Sequence, residues 1–123
     1  MRCVRSLICL AFFCCATVAS ASTEYGFVKW VSVRASDGLI WFTLSAGDPR
    51  IFPPPARSAR PACATQGYWV IPNEGAPAGR MLYDALLRAK VDGVPVVITG
   101  TGTCTRWPDG EDADIVQVGG INF

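Results

Sequence analysis

A tryptophan, an arginine and four carboxylates crowd one stretch of this chain, Arg106-Trp107-Pro108-Asp109-Gly110-Glu111-Asp112-Ala113-Asp114. An indole beside a guanidinium and carboxylates has the equipment of a sugar site: the ring stacks on a pyranose and the charged groups bond its hydroxyls. The same Trp107 could instead fold back and cap the core. Two of the acids, set on either side of a bond, are also what a glycosidase needs. Alternating acids further offer a hard cation oxygen ligands, but the spacing departs from the EF-hand loop, with Gly110 at its second place and no closing Glu twelve residues in. Against both stands a plain reading in which Pro108-Asp109-Gly110 makes a turn and Glu111 and Asp112 keep the entry to an edge strand soluble. No catalytic group, metal ligand or cofactor is therefore assigned.

Other chemistry is missing outright. The chain has no histidine, the commonest general base and metal ligand. No serine sits in a Gly-x-Ser-x-Gly elbow. Gly100-Thr101-Gly102-Thr103 lacks the Gly-Lys-Ser/Thr ending and the following helix of a phosphate loop, so it reads as a bulge or a close backbone approach. Lys and Arg number 11 against 10 Asp and Glu, which gives no basic face for nucleic acid. An enzyme is not expected.

Six cysteines divide unevenly. Cys3, Cys9, Cys14 and Cys15 lie in a leader with a basic start, an apolar run from Leu7 to Val18 and the small-x-small sequence Ala19-Ser20-Ala21. Residues 1–21 read as a signal peptide and 22–123 as a single mature domain. The apolar run is too short for the roughly 20 residues that span a bilayer, so no membrane span is expected in the mature form. The reading is an exported protein, periplasmic or secreted. Two cysteines survive cleavage, Cys63 and Cys104, and export predicts that they pair.

The elements that position these residues follow from periodicity and breakers. Tyr25 to Arg34 and Leu39 to Ser45 read as a hairpin around Ala35-Ser36-Asp37-Gly38. Ala46 to Pro61 carries five prolines and reads as a long surface loop. Gln66 to Ile71 is a third strand. Pro77 to Lys90 switches to helical spacing, with Met81, Leu82, Ala85, Leu86 and Ala89 on one face, and Gly93 lies just beyond. Val94 to Thr99 and Ala113 to Val118 complete five strands. Of Trp30, Trp41 and Trp69, all in strands, at least two are expected in the core. The order β-β-β-α-β-β, with the helix between strands 3 and 4, fits a β-rich OB-fold-like five-stranded Greek-key barrel, and equally an unrelated α+β sandwich.

Four segments carry a resemblance: Pro61-Ala62-Cys63-Ala64, Tyr68-Trp69-Val70-Ile71, Val94-Pro95-Val96-Val97-Ile98, and Gly100 through Asp112. In these the chain resembles small exported proteobacterial proteins that in turn resemble the pertussis-like toxin B subunits, the subtilase cytotoxin B subunit among them. The resemblance implies an OB barrel, a homo-oligomer that is a pentamer, and a glycan as ligand. That family's sugar site uses a serine just before the Gly-aliphatic start of the first strand, whereas Tyr25 precedes Gly26-Phe27-Val28 here. Its sialic-acid contact is therefore not carried over, and Glu24, Tyr25 and Asp37 make a different polar patch. The ligand-binding candidates are Tyr25, Arg106 and Trp107. The competing function is an envelope structural or assembly protein that meets a protein partner through an aromatic surface and exposed strand edges.

Overall fold

A computed structural model describes residues 21–46 and 59–119. The segment expected to be a leader, apart from Ala21, and most of the proline-rich stretch lie outside these residues. The elements run β1 Thr23–Val33, β2 Ile40–Ser45, β3 Trp69–Ile71, α1 Pro77–Asp92, β4 Val96–Gly100 and β5 Glu111–Val118. The expected order of five strands and one helix is therefore present.

The strands form one mixed sheet whose neighbours run β1-β2-β3-β5-β4 and return to β1. Closure works because the long β1 is shared. Thr23 to Gly26 pair with β4, and Phe27 to Val33 pair with β2. At the changeover the strands come so close that a Cβ on Gly26 would lie 2.4 Å from the Ser45 carbonyl oxygen, so glycine is required there. All pairings are antiparallel except β3 with β5, which run parallel through Trp69↔Glu111 and Val70↔Asp112. Val28, Phe42, Trp69, Leu86, Val96 and Ile98 fill the interior.

The helix starts at Pro77, which needs no N–H partner in the first turn, and stops at Gly93, whose φ of 63° is the left-handed cap. It extends two residues past Lys90. Gly79, Leu86 and Ala89 are buried, and Leu82 packs half-buried against the core. Met81 is the exception to the expected face, being 72% exposed. One residue is about 100° of helix rotation, so a stripe centred on Leu82 and Leu86 turns Met81 toward water.

The tryptophans also separate differently from expectation. Trp69 is fully buried, but Trp30 and Trp41 are half-buried and lie outside the core cluster. A register shift between Val28 and Trp30 explains the first. Plain alternation would turn Trp30 inward behind Val28, whereas one extra residue, Lys29, resets the parity so that Val31 packs inward instead. Trp41 points outward between the buried Ile40 and Phe42.

Cys63 and Cys104 form the expected disulfide, with Cα atoms 6.1 Å apart across a separation of 41 positions. It ties the approach to β3 to the β4–β5 loop. Closing a loop of that length in the unfolded chain is worth about 4 kcal/mol on the chain-entropy argument.

Candidate functional site

Two connections meet above β2 and β3. The β1–β2 turn is tight: Gly38 N–H donates to Arg34 O and Arg34 N–H to Leu39 O, both at 2.8 Å, and Gly38 takes a φ of 76°. Asp37 is its hub. Its carboxylate accepts Arg34 Nε at 2.8 Å, Arg34 Nη2 at 2.7 Å and Leu39 N–H at 3.3 Å. Arg106, arriving from the β4–β5 loop, adds Nη2 to Asp37 Oδ2 at 3.3 Å and to Asp37 O at 3.1 Å. Bonding to Arg34 first, and then to Leu39 N–H and Arg106, holds the Asp37 carboxyl well below the usual carboxylate range.

Arg106 also donates Nε to Glu74 Oε1 at 2.7 Å, and Nη2 pairs with the same oxygen. It thus clamps the β1–β2 turn to the segment before α1. Its guanidinium is largely committed to Asp37 and Glu74 rather than displayed to solvent.

A buried carboxylate shapes the loop that delivers Arg106 and Trp107. Asp112 Oδ2 accepts Thr105 N–H at 2.8 Å and the Thr105 hydroxyl at 2.5 Å, and Oδ1 accepts Arg106 N–H at 3.4 Å. Further along, Gly110 lets the loop lie on β3, since a Cβ there would come 2.6 Å from both Tyr68 and Val70. That cover buries Val70, which points away from the ring interior.

The result is a row of four half-buried rings. Trp30 meets Trp41 edge-on at 6.4 Å between centroids, Trp41 meets Trp107 edge-on at 5.2 Å, and Tyr68 tilts against Trp107 at 5.0 Å. Arg34 stacks over Trp107, its Cζ 5.3 Å from the ring centroid. At the far end Asp109 Oδ1 accepts the Thr65 hydroxyl at 3.2 Å. Burial, and then the Asp109 charge, push the Tyr68 phenol up. Trp107 therefore neither stands free in a polar loop nor caps the interior: it is the centre of an external aromatic row.

The structure brings Trp107 and Arg106 together. Tyr25 lies elsewhere, opposite Val97 in the half of β1 that pairs with β4, and burial pushes its phenol up. Beside it Glu24 Oε2 accepts the Trp69 indole N–H at 2.7 Å and Arg60 Nη2 at 3.0 Å. Trp41, Arg34 and Tyr68 were not among the sequence candidates. Trp41 had only its place in a strand as a local signal, because Ile40-Trp41-Phe42 is apolar throughout and does not show which face it takes. Arg34 and Tyr68 had none, because only the docking of the β4–β5 loop makes them neighbours of Trp107.

Pro108-Asp109-Gly110 makes the expected turn, with Gly110 N–H donating to Trp107 O at 3.3 Å, but the two acids that follow it are not solvated. Glu111 and Asp112 are buried, with Asp112 holding the loop and Glu111 facing Ser22 and Gly102. Among the described residues no three of the side-chain types that commonly hold a metal come together as a site. Gly100 serves close approach, as expected, since a Cβ there would lie 2.0 Å from Glu111 Oε1, and Gly102 takes a φ of 81°. No family model, curated protein or solved structure matches the chain.

Proposed function

We propose that the mature chain is an exported, non-enzymatic binding module of OB type that takes a carbohydrate on the face between its β1–β2 turn and β4–β5 loop. The observation that carries this reading is the unbroken row Trp30, Trp41, Trp107 and Tyr68 along that face. In an OB barrel the face of strands 2 and 3, flanked by these two connections, is where oligosaccharides and oligonucleotides bind. Of the 11 basic residues, Arg2 and Arg5 leave with the leader, and nine basic against ten acidic groups favour the sugar over a polyanion.

The OB reading is supported by the neighbour order β1-β2-β3-β5-β4 closing on β1, and by the helix between β3 and β4. Ring faces offer a sugar its apolar contact, and Arg34, Asp109 and Thr65 at the margins offer hydrogen bonds. The pentamer belongs to this reading through the resemblance to toxin B subunits.

A second reading, an envelope assembly protein, is favoured by one observation. Asp37, Arg106 and Glu74 already spend their charges on one another, and a surface of Trp, Tyr and Arg is what protein hot spots are made of. A glycan array on the purified mature protein separates the two. Saturable binding to a glycan class, with a change in tryptophan fluorescence, supports the module. No binding to any glycan transfers the aromatic row to a protein partner.

A further inference from the structure

Glu111 opens β5 with 0% of its surface exposed, and Ser22, just ahead of β1, is 1% exposed. The two meet across 89 positions: Ser22 N–H donates to Glu111 Oε1 at 3.2 Å, and the Ser22 hydroxyl donates to Oε2. Gly102 N–H adds a third donor to Oε1 at 3.1 Å. The walls are Gly100, with no room for a Cβ, and Trp69, the residue paired with Glu111 on β3. All three donors are neutral. Among the described residues no basic side chain lies within ion-pair distance of this carboxylate. A buried carboxylate held only by neutral donors has no counter-charge for its ionised form, and burying such a charge is costly.

Ser22 is also the residue that follows the small-x-small sequence Ala19-Ser20-Ala21. We propose that Glu111 is a built-in receptor for the α-ammonium of Ser22 that leader cleavage creates. Hydrolysis of the Ala21–Ser22 peptide bond by a signal peptidase adds one water. Ala21 leaves as a carboxylate, and the Ser22 amide N–H becomes an ammonium at the atom already placed on Glu111 Oε1. Cleavage acts on the chain during export, before the site closes. The contact with a neutral amide then becomes a buried ion pair that joins the start of β1 to β5, and the processed chain is the more stable one.

Sterics are separable from charge here, because Ala21 is exposed and the structure accommodates it with the contact intact. The experiment compares the chain starting at Ser22 with one that keeps Ala21, each with Glu111 and with Glu111→Gln. Keeping Ala21 is expected to lower Tm by roughly 5–15 °C in the Glu111 background and to change nothing in the Glu111→Gln background. Equal melting temperatures with Glu111 present overturn the ion pair. A second measurement needs no variant, since periodate cleaves an amino-terminal serine only when its free amine and hydroxyl are accessible. The folded Ser22-start chain is expected to react at least a hundredfold more slowly than the same chain in denaturant, and equal rates overturn the proposal. Mass spectrometry of the exported chain should find Ser22 first, and any other start overturns the proposal at the processing step.

Discussion

Trp69, the largest fully buried side chain, donates its indole N–H to Glu24 Oε2 at 2.7 Å, linking β3 to the half of β1 that pairs with β4. The same carboxylate oxygen accepts Arg60 Nη2 at 3.0 Å, and Arg60 Cζ sits 4.1 Å from the Trp69 ring centroid. A single residue thus supplies the core's bulk and the polar tie that orients it. Trp69→Phe keeps most of the ring but removes the donor. It should cost about 1–3 kcal/mol, read as a lower midpoint in urea with an unchanged slope. An unaltered midpoint would show that the tie contributes nothing.

Removing the disulfide acts on the unfolded chain. Cys63→Ser should lose about 2–5 kcal/mol, and mass spectrometry of the chain from Ser22 onward should find Cys63 joined to Cys104. Two free thiols would contradict the pairing.

The helix offers a contrast within one element. Leu86 is fully buried and Met81 is 72% exposed, so Leu86→Ala should cost about 2–5 kcal/mol through the cavity it leaves. Met81→Ala and Arg88→Ala should each stay within about 0.5 kcal/mol. Thermal melts of the three variants decide whether the buried stripe has been assigned correctly.

Asp37 makes stability depend on acid. Its folded-state affinity for a proton is depressed, first by Arg34. The unfolded carboxyl titrates near its ordinary value of about 3.9. The contribution is therefore complete above that value and is lost as pH falls below it, toward the lower folded value. Asp37→Asn should lower Tm at neutral pH and converge with the wild type in strong acid. Because the group is partly exposed, added salt should narrow the neutral-pH gap. A gap that persists in acid would rule out this linkage.

For the aromatic row, Trp107→Ala removes the ring that touches Trp41, Tyr68 and Arg34 at once. Glycan affinity should fall about tenfold, equivalent to about 1.4 kcal/mol. The fall in Tm should be smaller than for Leu86→Ala, because Trp107 is not part of the interior cluster. A variant that fails to fold would place Trp107 in the core, and an unchanged affinity would move the site.

Much of the framework was legible because its causes are local. Pro77 and Gly93 bracket the helix through backbone preferences that each residue carries with it. Asp37-Gly38 marks the β1–β2 turn because glycine tolerates the positive φ found there. Outside the leader-like segment only Cys63 and Cys104 remain to pair with each other, and the order of strands and helix followed from changes in hydrophobic period.

What the chain alone determined, then, was the set of elements, their order, the disulfide and the near-neutral charge, each carried by neighbours within a turn or two or by simple counting. Tertiary structure decided which faces these elements present. One extra residue at Lys29 turned Trp30 outward, a parity shift that no local preference announces. The approach of residues far apart in sequence turned an acidic turn into two buried carboxylates: Asp112 gathers the loop that presents Arg106 and Trp107, and Glu111 meets Ser22. Burial of a charge is set by whatever packs over it, and that is a property of the closed sheet rather than of any stretch of sequence.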